Sequence, residues 1–98
     1  MNATNALEKA ASYFKDKSDV VSVFAFGSFA DGTATRRSDL DLVVVRQTEE
    51  RFIDRLRHWL DLDKRVGLHV DLLVYNESEW DMMCQKPFFR KATLKQLI

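Results

Sequence analysis

The sequence has one cysteine, one proline and three glycines in 98 residues, and its fifteen basic side chains are cancelled by fifteen acidic ones. A single cysteine, Cys84, excludes an intrachain disulfide, and with only His58 and His69 beside it a closed zinc centre is not expected. So little Gly and Pro argues against a collagen-like or low-complexity chain. Zero net charge leaves no global field to draw the molecule to nucleic acid or to an anionic membrane. Any anion must therefore be gripped by a local arrangement, and direct nucleic-acid binding is not expected. Long hydrophobic runs are also missing. Val20–Phe26, interrupted by Ser22, and the run 42–45 are far too short to span a bilayer. The charged, amphipathic start has no apolar core of the kind a signal peptide needs. The expectation is a reduced, cytoplasmic setting without membrane association.

What is present is an ordinary globular composition, 46% hydrophobic and 31% charged. Residues 1–98 are expected to form one domain, near the lower size limit for an unaided core. Leu7, Ala10, Ala11 and Phe14 fall at helical spacing and predict a helix over about residues 3–17. Val20–Phe26 and the run 40–45 read as strands, the second covered on both faces. Residues 28–38 are polar and turn-like, with room for a brief helix from Ser28. The segment 49–60 predicts a helix with Phe52, Ile53, Leu56, Trp59 and Leu60 inward and Arg51, Asp54, Arg55 and Arg57 in water. A turn at Gly67 leads to a third strand over 68–75. Asn76 and Glu79 then have the spacing of a helix cap and its reciprocal partner. Trp80, Met83 and Cys84 would face inward on that helix, Pro87 would end it, and one last amphipathic turn or two would follow. This order predicts an α+β fold, a small mixed sheet with helices packed on it.

The chemistry is concentrated in Gly27-Ser28, the nine residues that follow, and Ser38-Asp39-Leu40-Asp41-Leu42. In a strand, side chains two apart share a face, so Asp39 and Asp41 project together about 7 Å apart. Paired carboxylates beside an apolar run either raise a pKa or share a cation, and Mg²⁺ prefers such hard oxygens. Gly27 allows a sharp turn and close approach of a ligand, and amides at the start of a helix at Ser28 would receive an anion. Asp71 interrupts the alternation of Leu68, Val70, Leu72 and Val74, so it emerges on the opposite face, where it could join the other two acids. A third carboxylate there could ligate metal and accept a proton from an attacking hydroxyl. A D-x-D pair alone is commonly just solvated, and Gly-Ser after a strand is by itself a turn. The joint arrangement is what points to metal-dependent nucleotidyl transfer. Arg36 and Arg37 either fork onto phosphate oxygens or are simply solvated. His69 either enters the site or is a satisfied structural histidine. Trp80, Met82, Met83, Phe88 and Phe89 are mostly core, with any exposed remainder suited to a partner, and Cys84 reads as a small buried hydrophobe.

The run GSFADGTATRRSDLDLVVV resembles the signature of the DNA polymerase β-like nucleotidyltransferase superfamily, most closely the minimal nucleotidyltransferases that serve as antitoxin partners of HEPN-domain toxins. The resemblance spans nearly the whole chain and implies a polymerase β-like palm. It implies that Gly27 and Ser28 hold a triphosphate, with Arg36 and Arg37 as further cofactor-binding candidates. Asp39 and Asp41 would bind two Mg²⁺ ions, and Asp71 would be the third carboxylate. It further implies ATP as donor and AMPylation of a tyrosine on a cognate HEPN toxin, in a hetero-oligomer or homodimer. Where many such proteins read GS-x-A-R-G, this chain has Asp31 in place of the Arg. The alternative is a catalytically weak or inactive antitoxin that neutralises its toxin by forming a complex. A free-standing transferase acting on a small hydroxylated molecule is a third reading, disfavoured by the lack of a second domain.

Overall fold

A computed structural model describes residues 3–98. Among them, no helix is long and apolar enough to cross a membrane. The three β-rich runs form the long strands. β1 (Val20–Phe26) pairs antiparallel with β2 (Leu40–Arg46), which runs parallel to β3 (Val70–Tyr75). A two-residue strand, β4 (Lys95–Gln96), closes the far side of β1, giving the order β3-β2-β1-β4. Sequence pattern did not anticipate β4, which lies within the predicted last helical turn. Lys95 and Gln96 carry no β signature, and the pairing is held by backbone groups such as the Leu97 N–H donating to the Val23 carbonyl at 2.7 Å.

Strand alternation divides the core in two. On one face Val23, Ala25, Leu40, Leu42, Val44, Val70 and Val74 meet the apolar stripe of α1 (Ala3–Lys15), in which Ala6, Leu7, Ala10 and Phe14 are buried. Phe29 from α2 (Ser28–Asp31) and Leu62 and Val66 from α3 (Leu62–Val66) complete that side. On the other face Phe26, Val43, Val45 and Tyr75 are covered by Phe89, Trp80 and Met83. These come from α5 (Pro87–Lys91) and α4 (Glu77–Met83). The cap predicted for α4 is present: the Asn76 side chain accepts from the Glu79 N–H at 2.9 Å, and Glu79 accepts from the Asn76 N–H at 2.7 Å. Cys84 is half-buried rather than enclosed. Pro87 occupies the first turn of α5, where its missing N–H costs nothing.

The segment 49–60 departs from expectation. It winds as a 3₁₀ helix over Phe52–Trp59, with Arg55 and Trp59 buried. Ile53 and Leu60, assigned inward by α-helical periodicity, are 79% and 83% exposed. Arg55, assigned to water, is 3% exposed. The cause is hydrogen-bond satisfaction. The Arg55 guanidinium donates to the carbonyls of Glu50 (2.9 Å) and Val74 (3.0 Å) and to the Glu79 carboxylate (2.6 Å). These bonds serve a carbonyl on the sheet edge and the acid of the α4 cap together. The Arg55 bond holds the Glu79 carboxyl below the usual carboxylate range, so its contribution to stability is present at neutral pH and lost as pH falls through that lowered value. Arg55→Ala should destabilise the fold by about 3 kcal/mol in urea denaturation at pH 7, and the loss should shrink when the titration is repeated below the range in which Glu79 ionises.

Candidate active site

Asp39 precedes β2, Asp41 is its second residue, and the parallel register places Asp71 directly beside Asp41. Phe26, the last residue of β1, pairs with Asp41 from the other side. The acids thus gather where the second face of the sheet is left uncovered by α4 and α5. Asp39, His69 and Asp71 are exposed, and one ligand atom from each lies within 4.8 Å of the others. Asp71 therefore joins the cluster on the face that strand alternation predicted.

His69 is drawn in as well. Its Nε2 lies 2.8 Å from Asp71 Oδ1 and its Nδ1 2.9 Å from Asp63 Oδ2. With a carboxylate oxygen facing each ring nitrogen, both nitrogens act as donors in the imidazolium form. The hydrogen bonds to Asp63 and then Asp71 raise the His69 pKa accordingly. Asp63 also accepts the Val70 N–H at 3.1 Å, which anchors the ring to the start of β3. Asp63 was not singled out in the sequence, because its relation to Asp71 depends on the fold of α3. Burial raises the Asp41 pKa first, followed by the charges of Asp71 and Asp39. Three carboxylates whose charges oppose one another, at an accessible edge, are a donor set suited to a hard divalent cation.

Gly27 has φ 69° and ψ −150°, a conformation that L side chains rarely adopt. A Cβ there would lie 2.6 Å from Asp41 Oδ2, so glycine is needed both for the turn and for the carboxylate beside it. The Gly27 carbonyl accepts from the Ala30 and Asp31 amides at 3.1 Å each, closing the single turn of α2. Beside this turn is a cleft of about 380 Å³ lined by Gly27, Asp31, Asp41, Phe26, Phe88 and Lys91, among others. Lys91 forms no ion pair among the described residues, and it and Phe88 were not identified as site residues from sequence. Only the docking of α5, anchored by buried Phe89, brings them there. Arg36 and Arg37 are exposed in the preceding loop and do not line the cleft. Asp31 does line it, but its Oδ1 is engaged by the Thr33 hydroxyl at 2.6 Å and the Thr33 amide at 3.1 Å.

These constraints predict opposite responses in one assay. Gly27→Ala should destabilise the chain by about 1–3 kcal/mol. Asp41→Asn should stabilise it at pH 7. A raised folded pKa means that ionising Asp41 opposes folding, a penalty absent below its unfolded value near pH 4. Urea midpoints of Asp41→Asn and parent should therefore converge in acid and separate as pH rises to neutral.

Residues 8–91 match the model of the family described as Polymerase beta, Nucleotidyltransferase. The chain is 31% identical over 96 residues to a protein of Methanocaldococcus jannaschii named putative protein adenylyltransferase, covering 94% of this chain and 88% of that one. A chain from a toxin–antitoxin complex crystallised with AMP-PNP superposes with a TM-score of 0.63 at 24% identity, over all of this chain and 73% of the other. A putative nucleotidyltransferase from Sulfolobus solfataricus superposes with a TM-score of 0.57 at 26% identity, over 82% of this chain and 71% of that one. The mixed sheet that gathers three carboxylates beside a glycine turn is thus the nucleotidyltransferase fold, and the chain belongs to the polymerase β nucleotidyltransferase family.

Proposed function

We propose that the protein is a magnesium-dependent adenylyltransferase that moves AMP from ATP onto a hydroxyl of a partner protein, as the antitoxin of a toxin–antitoxin pair. The observation that carries this reading is the Asp41–Asp71 register, which sets Asp71 beside the D-x-D pair, with Asp41 against Gly27. Residues 1–98 act as one catalytic unit. The triphosphate lies along the Gly27–Ser28 turn, where the Ser28 and Phe29 amides precede the first helical hydrogen bond. Lys91 offers positive charge from across the cleft, and Phe88 offers a ring face to the base. Two Mg²⁺ ions held by Asp39, Asp41 and Asp71 would neutralise the phosphates and the charge that develops in transfer. The acceptor hydroxyl attacks the α-phosphorus in line, the bond to the pyrophosphate oxygen breaks, and the hydroxyl proton passes to Asp71. His69 engages Asp71 Oδ1 and so fixes the orientation of that carboxylate. The remaining catalysis is positioning and charge neutralisation.

A protein acceptor is supported by the name of the M. jannaschii relative, and a toxin partner by the complex that shares the fold. Together with the resemblance of the GS…D-x-D run, they favour a tyrosine of a HEPN-domain toxin as acceptor. A second reading, neutralisation by binding alone, is favoured by Asp31, an acid on the wall of the nucleotide cleft. The two separate cleanly. With α-labelled ATP, Mg²⁺ and the cognate toxin, Asp39→Ala and Asp71→Asn should lower AMP transfer by at least 100-fold while the fold persists. Full protection from the toxin by Asp39→Ala would instead establish binding alone. Lys91→Met should weaken ATP about tenfold by calorimetry, the equivalent of one charge-assisted phosphate contact at about 1.4 kcal/mol. Arg36→Ala, lying outside the cleft, should leave that affinity within about twofold.

A further inference from the structure

β3 is an edge strand, and its open side is left unprotected in the middle. In a parallel pair, alternate residues turn their backbone groups toward and away from the neighbour. The His69 carbonyl bonds β2 through the Leu40 N–H, so the even-numbered residues of β3 face outward. Their ends are capped from within the molecule: Asp63 takes the Val70 N–H and Arg55 donates to the Val74 carbonyl. Between these caps Val70 and Val74 are themselves buried, and Leu72, half-buried, directs both its backbone groups outward. The strand sequence, VDLLVY, has no proline or lysine of the kind that protects natural edges. Alongside runs a cleft of about 460 Å³, walled by Leu56, Leu60, Leu72 and Leu73 and reaching His69 and Asp71. Leu60 on its outer wall is the most exposed large apolar side chain among the described residues. The cleft contains Asp63 and Asp71 but no lysine or arginine.

We propose that this cleft is the acceptor channel, and that its occupant is an extended segment of the acceptor protein which adds to the edge of β3. This rests on the transferase reading above and names how its substrate is recognised. The outward Leu72 N–H and carbonyl provide a pair of backbone bonds for a short peptide. Side chains of the added strand alternate between faces, so a hydroxyl residue opposite Asp71 points to the side on which Asp71 lies. Its flanking residues meet Leu56 and Leu60. With His69 held between them, the two acids still leave the cleft without a positive balance, so it takes an uncharged or basic segment more readily than an acidic peptide or a nucleic-acid backbone.

The test uses the full chain with Mg²⁺, ATP and the peptide acetyl-Ala-Leu-Tyr-Leu-Ala-amide, its glutamate-flanked counterpart acetyl-Ala-Glu-Tyr-Glu-Ala-amide, and an RNA oligonucleotide. The parent should adenylylate the neutral peptide at least tenfold faster than the acidic one and leave the RNA unlabelled. Leu60→Glu, at an exposed position, should raise the peptide KM at least tenfold with ATP affinity unchanged. Leu72→Pro, which removes an outward N–H without touching the β2 ladder, should do the same. Equal peptide rates for parent and Leu60→Glu would overturn the proposal even if Leu72→Pro failed to fold, and so would transfer to RNA alone. A parent that binds Mg²⁺-ATP yet labels neither peptide would remove the channel while leaving the nucleotide site standing. A parent that binds no ATP would defeat the transferase reading itself.

Discussion

Carboxylates that repel one another are kept side by side because the parallel pairing of β2 and β3 is fixed by packing on both faces. Leu40, Leu42 and Val44 are locked into one core and Val43 and Val45 into the other, so β2 has no register in which Asp41 could withdraw. A slip of one residue in β3 would carry Asp71 to the opposite face and drive Leu72 into the position beside Asp41. The hydrophobic pattern therefore maintains an electrostatic arrangement that is unfavourable on its own. Burial and like charge raise the Asp41 pKa, and Gly27 yields the space its carboxylate occupies.

Around that fixed pair, polar groups at the strand ends serve two elements at once. Glu79 completes the cap of α4 and receives Arg55, which in turn satisfies the outer carbonyl of β3. Asp63 holds the first amide of β3 and the ring of His69. Arg55 and Asp63 thereby limit how far the open edge of the sheet extends. Local satisfaction of backbone groups and the shape of the outer cleft are thus products of the same contacts.

Much of this was readable in the chain before any coordinates. Period-two and apolar runs located the three long strands, the capping residues located α4, and the break in alternation at Asp71 put it on the correct face. What escaped was decided by tertiary hydrogen bonding. The 3₁₀ helix turned Arg55 inward because three acceptors awaited it, against the periodicity that sent Ile53 and Leu60 to the core. Lys91 and Phe88 approach the cleft only because α5 folds back over the sheet, and nothing in their local sequence encodes that return. Asp39 and Asp41 were legible because their spacing is local, and His69 as a candidate because it lies two residues from Asp71, whereas Asp63 depended on where a short helix ended.

The cover of the second face is thin. α4 contributes no fully buried residue, and α5 buries only Phe89, with Phe88 edge-on against Phe26. Yet α5 also supplies one wall of the cleft beside Gly27. Any molecule lodged in that cleft would steady the lid of the smaller core, so occupancy should slow amide exchange from Trp80 through Lys91 more than in α1. The smaller of the two cores is in this sense on loan to the ligand.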